Sequence, residues 1–325
     1  MANQAIVAPA TVVANANLVD PGFKEVLADN YKMLESKFSK ILKSVELRTT
    51  AETFSGYTGL GEIPMVNEAG EFGEDAIIPT YNTTLTAYKY GNNLPVSWEL
   101  LEDDLYGVIG KAKDATDSLT RKAEGLGSDL FNNAHSTSYT SYGDGKPLCS
   151  TVHTRADGGT AQSNASSTGI TLTEANLETG ILAMRGQLDD RGNLISMVPN
   201  TLIVPPALEK EAIIITKSTN RSGTADNDAN VNGMSVYTGG QLNVIVWDYL
   251  GAAAGGSDTA WFLLASGSHK LSYGWRHKPS VKRLAEAVGA KNQITYWQYF
   301  FRLALGWRDW RGVWGSKGDG ASYTD

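Results

Sequence analysis

The sequence predicts an α+β protein built around one long helix, and three features of the chain point that way. A helical apolar stripe runs from Ser97 to Ala134, short apolar strands alternate with helices between 171 and 266, and strand-like alternation flanks both regions. In the stripe, Trp98, Leu101, Leu105, Val108, Ala112, Ala115, Leu119, Ala123, Leu126 and Leu130 recur at steps of three or four and share one side of a helix. Ser97 stands where it can cap the first turn, and Glu99, Glu102, Asp103 and Asp104 place negative charge at the positive end of the helix dipole. At about 1.5 Å per residue this helix is roughly 55 Å long, more than a small domain covers, so other segments must lie along it. Gly107, Gly110, Gly125 and Gly127 weaken it, and a bend or break is expected near Gly125. Its seam carries small alanines without sustained charge pairing alongside, which suits a strut inside a subunit better than a free coiled coil.

The chain divides in order into 1–47, 48–96, 97–170, 171–266 and 267–325. Residues 1–19 are uncharged, rich in Ala, Val and Asn, and lack any helical or strand period, which reads as an arm. Its apolar run is interrupted by Pro9 and preceded by no Lys or Arg, so it does not fit a secretory signal. From Pro21 to Val45, Phe23, Val26, Leu27, Tyr31, Leu34, Phe38, Ile41 and Leu42 mark an amphipathic helix.

Residues 48–96 contain TFSGYTGLGEIPMVNEAGEFGEDAIIPTYNTTLTAYKYGNNLP, with alternation over Thr84–Lys89 and punctuation by Gly and Pro. This reads as strands without a core of their own. A long two-stranded ribbon is marginally stable by itself, so it must pack on something, most economically on another copy of the chain. Glu62, Glu68, Glu71, Glu74 and Asp75 make its tip acidic, either as a solvated loop or as the complement of a basic partner surface. These five, with Trp98, Arg302, Arg308 and Arg311, are the candidate subunit-interface residues.

Beyond the long helix lies a polar loop region with a turn at Asp144 and Gly145. Thr171 and Glu174 form a capping box ahead of Leu177, Ile181, Met184 and Leu188, with Gly192 as the stop. Thr201–Pro205, Leu242–Trp247 and Trp261–Ala265 read as buried strands, and Pro206 suits the first turn of a helix running to about Lys217. Together they imply a sheet covered by helices, with a polar loop over 218–232. In the tail, Thr295, Trp297, Tyr299, Phe301, Leu303 and Leu305 alternate on one face of a long strand. Folded back along the long helix, that strand would bury both apolar faces in one domain.

The 325 residues carry a net charge of −7, which implies no global attraction to nucleic acid or to an anionic membrane surface. Cys149 is the single cysteine, so no intrachain disulfide framework exists, and the residue reads as a small hydrophobe. No run reaches the ~18 apolar residues of a membrane span.

Several chemical signals fail on inspection. Asp228, Asn230, Asn232 and Gly233 match the first half of a calcium loop, but Gly239 occupies the position that needs a bidentate Glu. His135, Asp144, Cys149 and His153 match no zinc spacing, and histidines in a polar loop read as surface residues. A hydrolase using Cys149 with His153 is the reading from a different functional class. GLGEIP and GLGSDL both miss the third Gly of a phosphate-binding loop. Arg302, Arg308 and Arg311 among Trp307, Trp310 and Trp314 could stack on single-stranded nucleic acid, but an aromatic strand with paired arginines fits better. No catalytic residue, metal site or cofactor is indicated, and the chain reads as non-enzymatic.

The order of parts resembles the major capsid proteins of tailed bacteriophages, the Hong Kong 97 fold, and in detail the Mu-like prophage major head subunits. The resemblance is carried by GLGEIPMVNEAGEFGE in the ribbon, KYGNNLPVSWELLEDDLYG at the start of the long helix and DGKPLCSTVH after it. LIVPPALEKEA, LNVIVWDYL with WFLLA, and WRDWRG complete it. It implies an N-terminal arm and helix (1–47), an extended loop (48–96), a peripheral domain with a spine helix (97–170), an axial domain (171–266), and a return to the peripheral domain (267–325). The implied function is a structural subunit that forms pentamers and hexamers of an icosahedral head enclosing double-stranded DNA. Scaffold and portal proteins, decoration proteins and non-specific contact with packaged DNA are the implied partners, without a membrane. The implied location is the virion capsid, assembled in the bacterial cytoplasm. An encapsulin-like compartment shell is the alternative on the same fold.

Overall fold

The computed structural model of the chain describes residues 36–97, 112–218, 230, 240–283 and 294–323. Ala87–Glu124 and Trp275–Ala304 belong to one compact unit, while Lys37–Thr86, Gly125–Gly274 and Leu305–Asp325 belong to another. In chain order the elements of the second unit begin with α1 (Phe38–Ile41), β1 (Lys43–Ser44), β2 (Ala51–Phe54) and β3 (Thr83–Thr86). Then follow β4 (Tyr88–Ser97) of the first unit and α2 (Ala112–Asn132), which has residues in both.

In the second unit, α3 (Glu174–Arg185), β5 (Thr201–Val204), α4 (Glu209–Lys217), β6 (Asn243–Val246), β7 (Trp261–Leu264) and β10 (Val313–Ser316) form a covered sheet of order β10-β7-β5-β6. β5 and β6 are parallel, while β7 runs antiparallel to both β5 and β10. Every residue of β5, β7 and β10 is buried, so both faces need cover. On one face Leu177, Ile181 and Met184 of α3 and Ala212 and Ile215 of α4 pack with Leu202, Val204, Leu263 and Trp314. Gly180 makes that approach close: a Cβ there would lie 2.8 Å from Leu263 Cδ1 and 3.1 Å from Trp314 Cε3. Toward the other face, Phe131 near the end of α2 meets Phe262 edge-on at 5.2 Å and Trp247 at 5.9 Å between ring centroids.

The helix α3 starts two residues later than its capping box predicts. Thr173, not Thr171, is the N-cap, its Oγ1 accepting from the Asn176 N–H at 3.3 Å, while the Thr171 carbonyl accepts from Asn176 Nδ2 at 2.8 Å. The helix stops at Gly186 and not at Gly192, because Gln187 and Asp189 turn the chain into hydrogen bonds with Ile195 and Asn193. Pro206 opens a short 3-10 turn (Pro206–Leu208) that leads into α4, ending at Lys217 as expected. Asn230 is buried and donates through Nδ2 to the Ile215 carbonyl at 2.7 Å, satisfying an end of α4. The remainder of the half-matched calcium motif lies outside the described residues, as do the arm, Trp98 and residues 21–35 of the helix expected over Pro21–Val45; the described part of that helix stops at Ile41, and Lys43–Ser44 is strand.

The helix α2 passes through Gly125 and Gly127 without the expected break. Gly127 is required by packing: a Cβ there would sit 2.5 Å from Phe38 Cβ, so glycine lets α1 lie directly on the helix. Phe38 also meets Tyr273 edge-on at 5.2 Å, beside the parallel pairing of β1 with the start of β8 (Leu271–Arg283). Ser97, expected to cap the long helix, is the last residue of β4 and pairs with Ile294, and residues 98–111 lie outside the described part.

In the first unit, β9 (Ile294–Trp307) pairs antiparallel with β4 from Tyr88↔Leu303 to Ser97↔Ile294 and has β8 on its other edge. Phe301 is fully buried, with the Tyr90 ring at 5.3 Å, the Trp275 ring edge-on at 5.5 Å, and Lys122 of α2 over Tyr90 at 5.7 Å. The alternation over Thr84–Lys89 belongs to two strands of different sheets: β3 pairs with β2, β4 with β9, and buried Ala87 lies between them.

Candidate subunit interface

The ribbon is strand only at its base. β2 and β3 pair from Ala51↔Thr86 to Phe54↔Thr83, with the Thr53 and Thr84 hydroxyls 2.8 Å apart. Further out, Thr58 N–H donates to the Ile78 carbonyl at 2.8 Å, and Thr80 N–H to the Gly56 carbonyl at 3.0 Å. Beyond that the two arms run without a ladder to a turn in which Gly70 N–H donates to the Asn67 carbonyl at 2.9 Å. The tip therefore has extended segments where strands were expected, because Gly59, Gly61, Pro64, Gly70 and Gly73 do not sustain pairing.

Its side chains fall into two sets. Ile63 and Met65 are each 91% exposed and Phe72 is 87% exposed, and Leu60, Ile77 and Tyr57 are exposed too. Interleaved with them, Glu62, Glu68, Glu71, Glu74 and Asp75 are all exposed. Asp75 is anchored: it accepts from Gly61 N–H at 2.6 Å and Ala76 N–H at 2.8 Å, and pairs with Arg191. The Gly61 amide, then that of Ala76 and the Arg191 guanidinium, hold its carboxyl below the usual carboxylate range. Asn193 Nδ2 reaches the Leu60 carbonyl at 3.4 Å. These polar contacts leave a space of about 420 Å³ bordered by Glu62, Pro64, Glu74, Asp157 and Arg191, so the tip is tethered without apolar burial.

The three arginines named with the ribbon separate in the structure. Arg311 is buried and cannot face another subunit; it donates to Asp190 Oδ1 at 2.9 Å, to Asp309 Oδ1 at 3.3 Å and to the Leu188 carbonyl at 2.8 Å. Burial opposes its charge, but Asp309 and Asp190 outweigh that and hold the guanidinium ionised. Arg308 lies over the Phe54 ring at 5.2 Å and donates through Nε to Ser272 Oγ at 3.2 Å. Arg302 stands half-buried on β9 opposite Lys89. Arg308 and Arg311 belong to the turn between β9 and β10, and Trp307 at the end of β9, Trp310 in the turn and Trp314 on β10 are all buried.

His153 is likewise buried and not a surface residue. Its Nδ1 lies 2.7 Å from Asp144 Oδ2, its Nε2 3.1 Å from Asn164 Oδ1, and its ring stacks on Trp310 at 4.2 Å. Asn164 extends this network by donating to the carbonyls of Leu148 at 2.8 Å and Val313 at 3.2 Å. Periodicity could not reveal these links, since they depend on side chains far apart in a loop. Cys149 is fully buried, and desolvation pushes its thiol far above its ordinary pKa, so it is a poor nucleophile. Among the described residues no group of three or more His, Cys, Asp or Glu could hold a metal ion, and no helix is long and apolar enough to cross a membrane.

The acidic, apolar-tipped ribbon thus stands exposed, while buried polar networks fix the loops around the covered sheet. Residues 80–316 match the family model described as phage capsid protein, and the chain belongs to the phage capsid protein family. It is a structural major capsid protein with a Hong Kong 97-type fold. The fold is similar to that of a chain from Microbacterium phage Oxtober96, with TM-score 0.55, 15% identity, and coverage of 91% of this chain and 92% of that one. A capsid structure of the cyanophage P-SCSP1u gives TM-score 0.56 at 14% identity, covering 91% and 92%. The capsid of a native GTA particle gives TM-score 0.53 at 15% identity, covering 94% and 96%. No curated protein sequence matches the chain. The encapsulin-like and hydrolase readings are not favoured by these findings.

Proposed function

We propose that copies of this chain form the pentamers and hexamers of an icosahedral phage head that encloses double-stranded DNA, and that the ribbon is the element that closes contacts between them. The observation that carries this is the tip: Ile63, Met65 and Phe72 are almost fully exposed on a segment with no core of its own. An apolar group left in water forfeits about 25 cal/mol per Å² of buriable surface, so a neighbouring copy is the economical cover. Identical contacts repeated by rotation give closed rings, and several neighbours per subunit make the sum hard to dissociate. The acidic residues Glu62, Glu68, Glu71, Glu74 and Asp75 with Trp98, Arg302 and Arg308 are the proposed contact residues. On this reading 97–170 and 267–325 form the peripheral domain and 171–266 the axial domain. Scaffold, portal and decoration proteins are the expected partners, with assembly in the bacterial cytoplasm.

Electron microscopy of the purified full-length chain tests the reading directly, and closed particles are the expected result. Deleting Gly61–Asp75 is expected to leave soluble subunits or capsomers without closed shells. Normal heads from the deletion would remove the ribbon from its role.

A further inference from the structure

His153 is buried with a hydrogen-bond partner at each ring nitrogen, and the kind of partner dictates its charge. A neutral imidazole has one N–H and one bare nitrogen, so it suits one acceptor and one donor. His153 meets two acceptors. Its Nδ1 lies 2.7 Å from Asp144 Oδ2, and the other oxygen of that carboxylate accepts from the Lys146 N–H at 3.0 Å. Its Nε2 lies 3.1 Å from Asn164 Oδ1. The Asn164 amide is fixed in that sense: its Nδ2 donates to the carbonyls of Leu148 at 2.8 Å and Val313 at 3.2 Å, and its oxygen accepts from the Ser150 N–H at 2.9 Å. Turning it over would set its oxygen against two carbonyls and its NH2 group against the Ser150 N–H.

The charges around the ring agree. Asp144 faces it directly, and neither partner's side chain is exposed. Trp310 stacks on it at 4.2 Å between centroids and 6° from parallel, while the Arg311 guanidinium lies over the same indole at 4.8 Å. Arg311 is already held by Asp190 and Asp309, so it does not compete for Asp144. Tyr142 lies near these carboxylates, and burial and then Asp309 hold its phenol in the protonated form.

We infer that His153 is a buried imidazolium, and that its second proton pins a clasp which holds the loop after α2 against β10 and opens when that proton is lost. Without the proton, whichever nitrogen is bare faces an oxygen lone pair in a site closed to water. Asn164 passes the effect on. Its carbonyl accepts from the Gly315 N–H of β10 at 3.1 Å, and its N–H donates to the Ser150 carbonyl at 3.1 Å. Between Leu148 and Ser150 lies Cys149, fully buried and so close to β10 that a Cβ on Gly315 would stand 2.7 Å from its Sγ. The thiol therefore senses whether the clasp is shut. Above the ordinary imidazole range each opening releases one proton from His153 to water, so the opening equilibrium rises about tenfold per pH unit. His269 is neutral in the closed and the open chain over that range and adds nothing.

Maleimide labelling of Cys149 in the unassembled full-length chain tests this, and the outcome does not depend on the shell reading. A thiol reacts as its thiolate, so labelling through a pH-independent opening rises about tenfold per pH unit. From about pH 7 to about pH 8 the rate is expected to rise close to a hundredfold, one factor of ten from the thiol and one from the proton of His153. His153→Gln is expected to label at least tenfold faster at about pH 7 and to rise only tenfold over the same unit. Nitrogen-15 spectra of histidine-labelled protein add a direct readout: at about pH 7.5 both ring nitrogens of His153 are expected to carry a proton, where a free imidazole carries one. The signal is the one lost in His153→Gln, and the slope of the unsubstituted chain decides the matter even where that variant fails to fold. A tenfold rise in the unsubstituted chain, or a single ring proton on His153, would overturn the inference. A hundredfold rise that persists in His153→Gln would give the released proton to another group and overturn it as well.

Discussion

Arg311 shows how a single residue can look like a surface contact in sequence and be a core element in structure. It lies in a run of arginines and tryptophans, yet it is buried and holds Asp190, Asp309 and the Leu188 carbonyl together. Arg311→Met leaves Asp190 without its counter-charge in a buried site and Asp309 with Lys270 as its remaining cation at 3.0 Å. A loss of roughly 3–5 kcal/mol in stability is expected, read as a lower denaturation midpoint of the unassembled subunit. His269 gives the molecule an acid limit. It is buried, its Nδ1 accepts from the Leu271 N–H at 3.2 Å, and desolvation, then the nearby Lys43, lowers its pKa to about 4. Unfolded, the same imidazole titrates near 6.5, so from about pH 6.5 down to about 4 the unfolded chain binds a proton that the folded chain refuses. Stability must therefore fall as pH drops through that window, on the order of 2 kcal/mol after allowing for solvent screening. Denaturant unfolding at several pH values checks this, and His269→Gln is expected to flatten the slope.

At the scale of elements, α2 was legible from its apolar period, but the role of its glycines was not. Helix propensity alone says that Gly127→Ala stabilises by up to about 1 kcal/mol. The structure reverses the sign, since the added Cβ would lie 2.5 Å from Phe38 Cβ and α1 must shift. A net loss of about 1–3 kcal/mol is expected, measurable by thermal denaturation of the unassembled protein. The covered sheet was equally legible: Thr201–Val204, Asn243–Val246 and Trp261–Leu264 fall inside the apolar runs that announce them, and α4 ends at Lys217. The capping box at Thr171 misled by two residues, because Asn176 bonds both the Thr171 carbonyl and the Thr173 hydroxyl and only the second is the cap. β10 could not be foreseen as a separate strand. Its pairing with β7 depends on the turn that Arg311 and Asp309 fix between β9 and β10.

For the whole molecule, the ribbon fixes behaviour before and after assembly. Limited proteolysis of free subunits is expected to cut within residues 59–77, where backbone runs without a ladder and side chains stand in water. Closed particles are expected to protect the same segment, and mass spectrometry of the fragments distinguishes the two states. The sequence by itself determined the class of fold, the long helix, the strands of the covered sheet, and a ribbon lacking a core. Those properties follow from local periodicity and composition, which neighbouring residues alone define. Only the tertiary structure decided that Arg311 and His153 are buried, that Gly127 serves Phe38, and that Phe301 is buried against Tyr90 and Trp275. Each of those depends on residues far apart in the chain meeting within a few ångströms, and no repeat along the sequence encodes such a meeting.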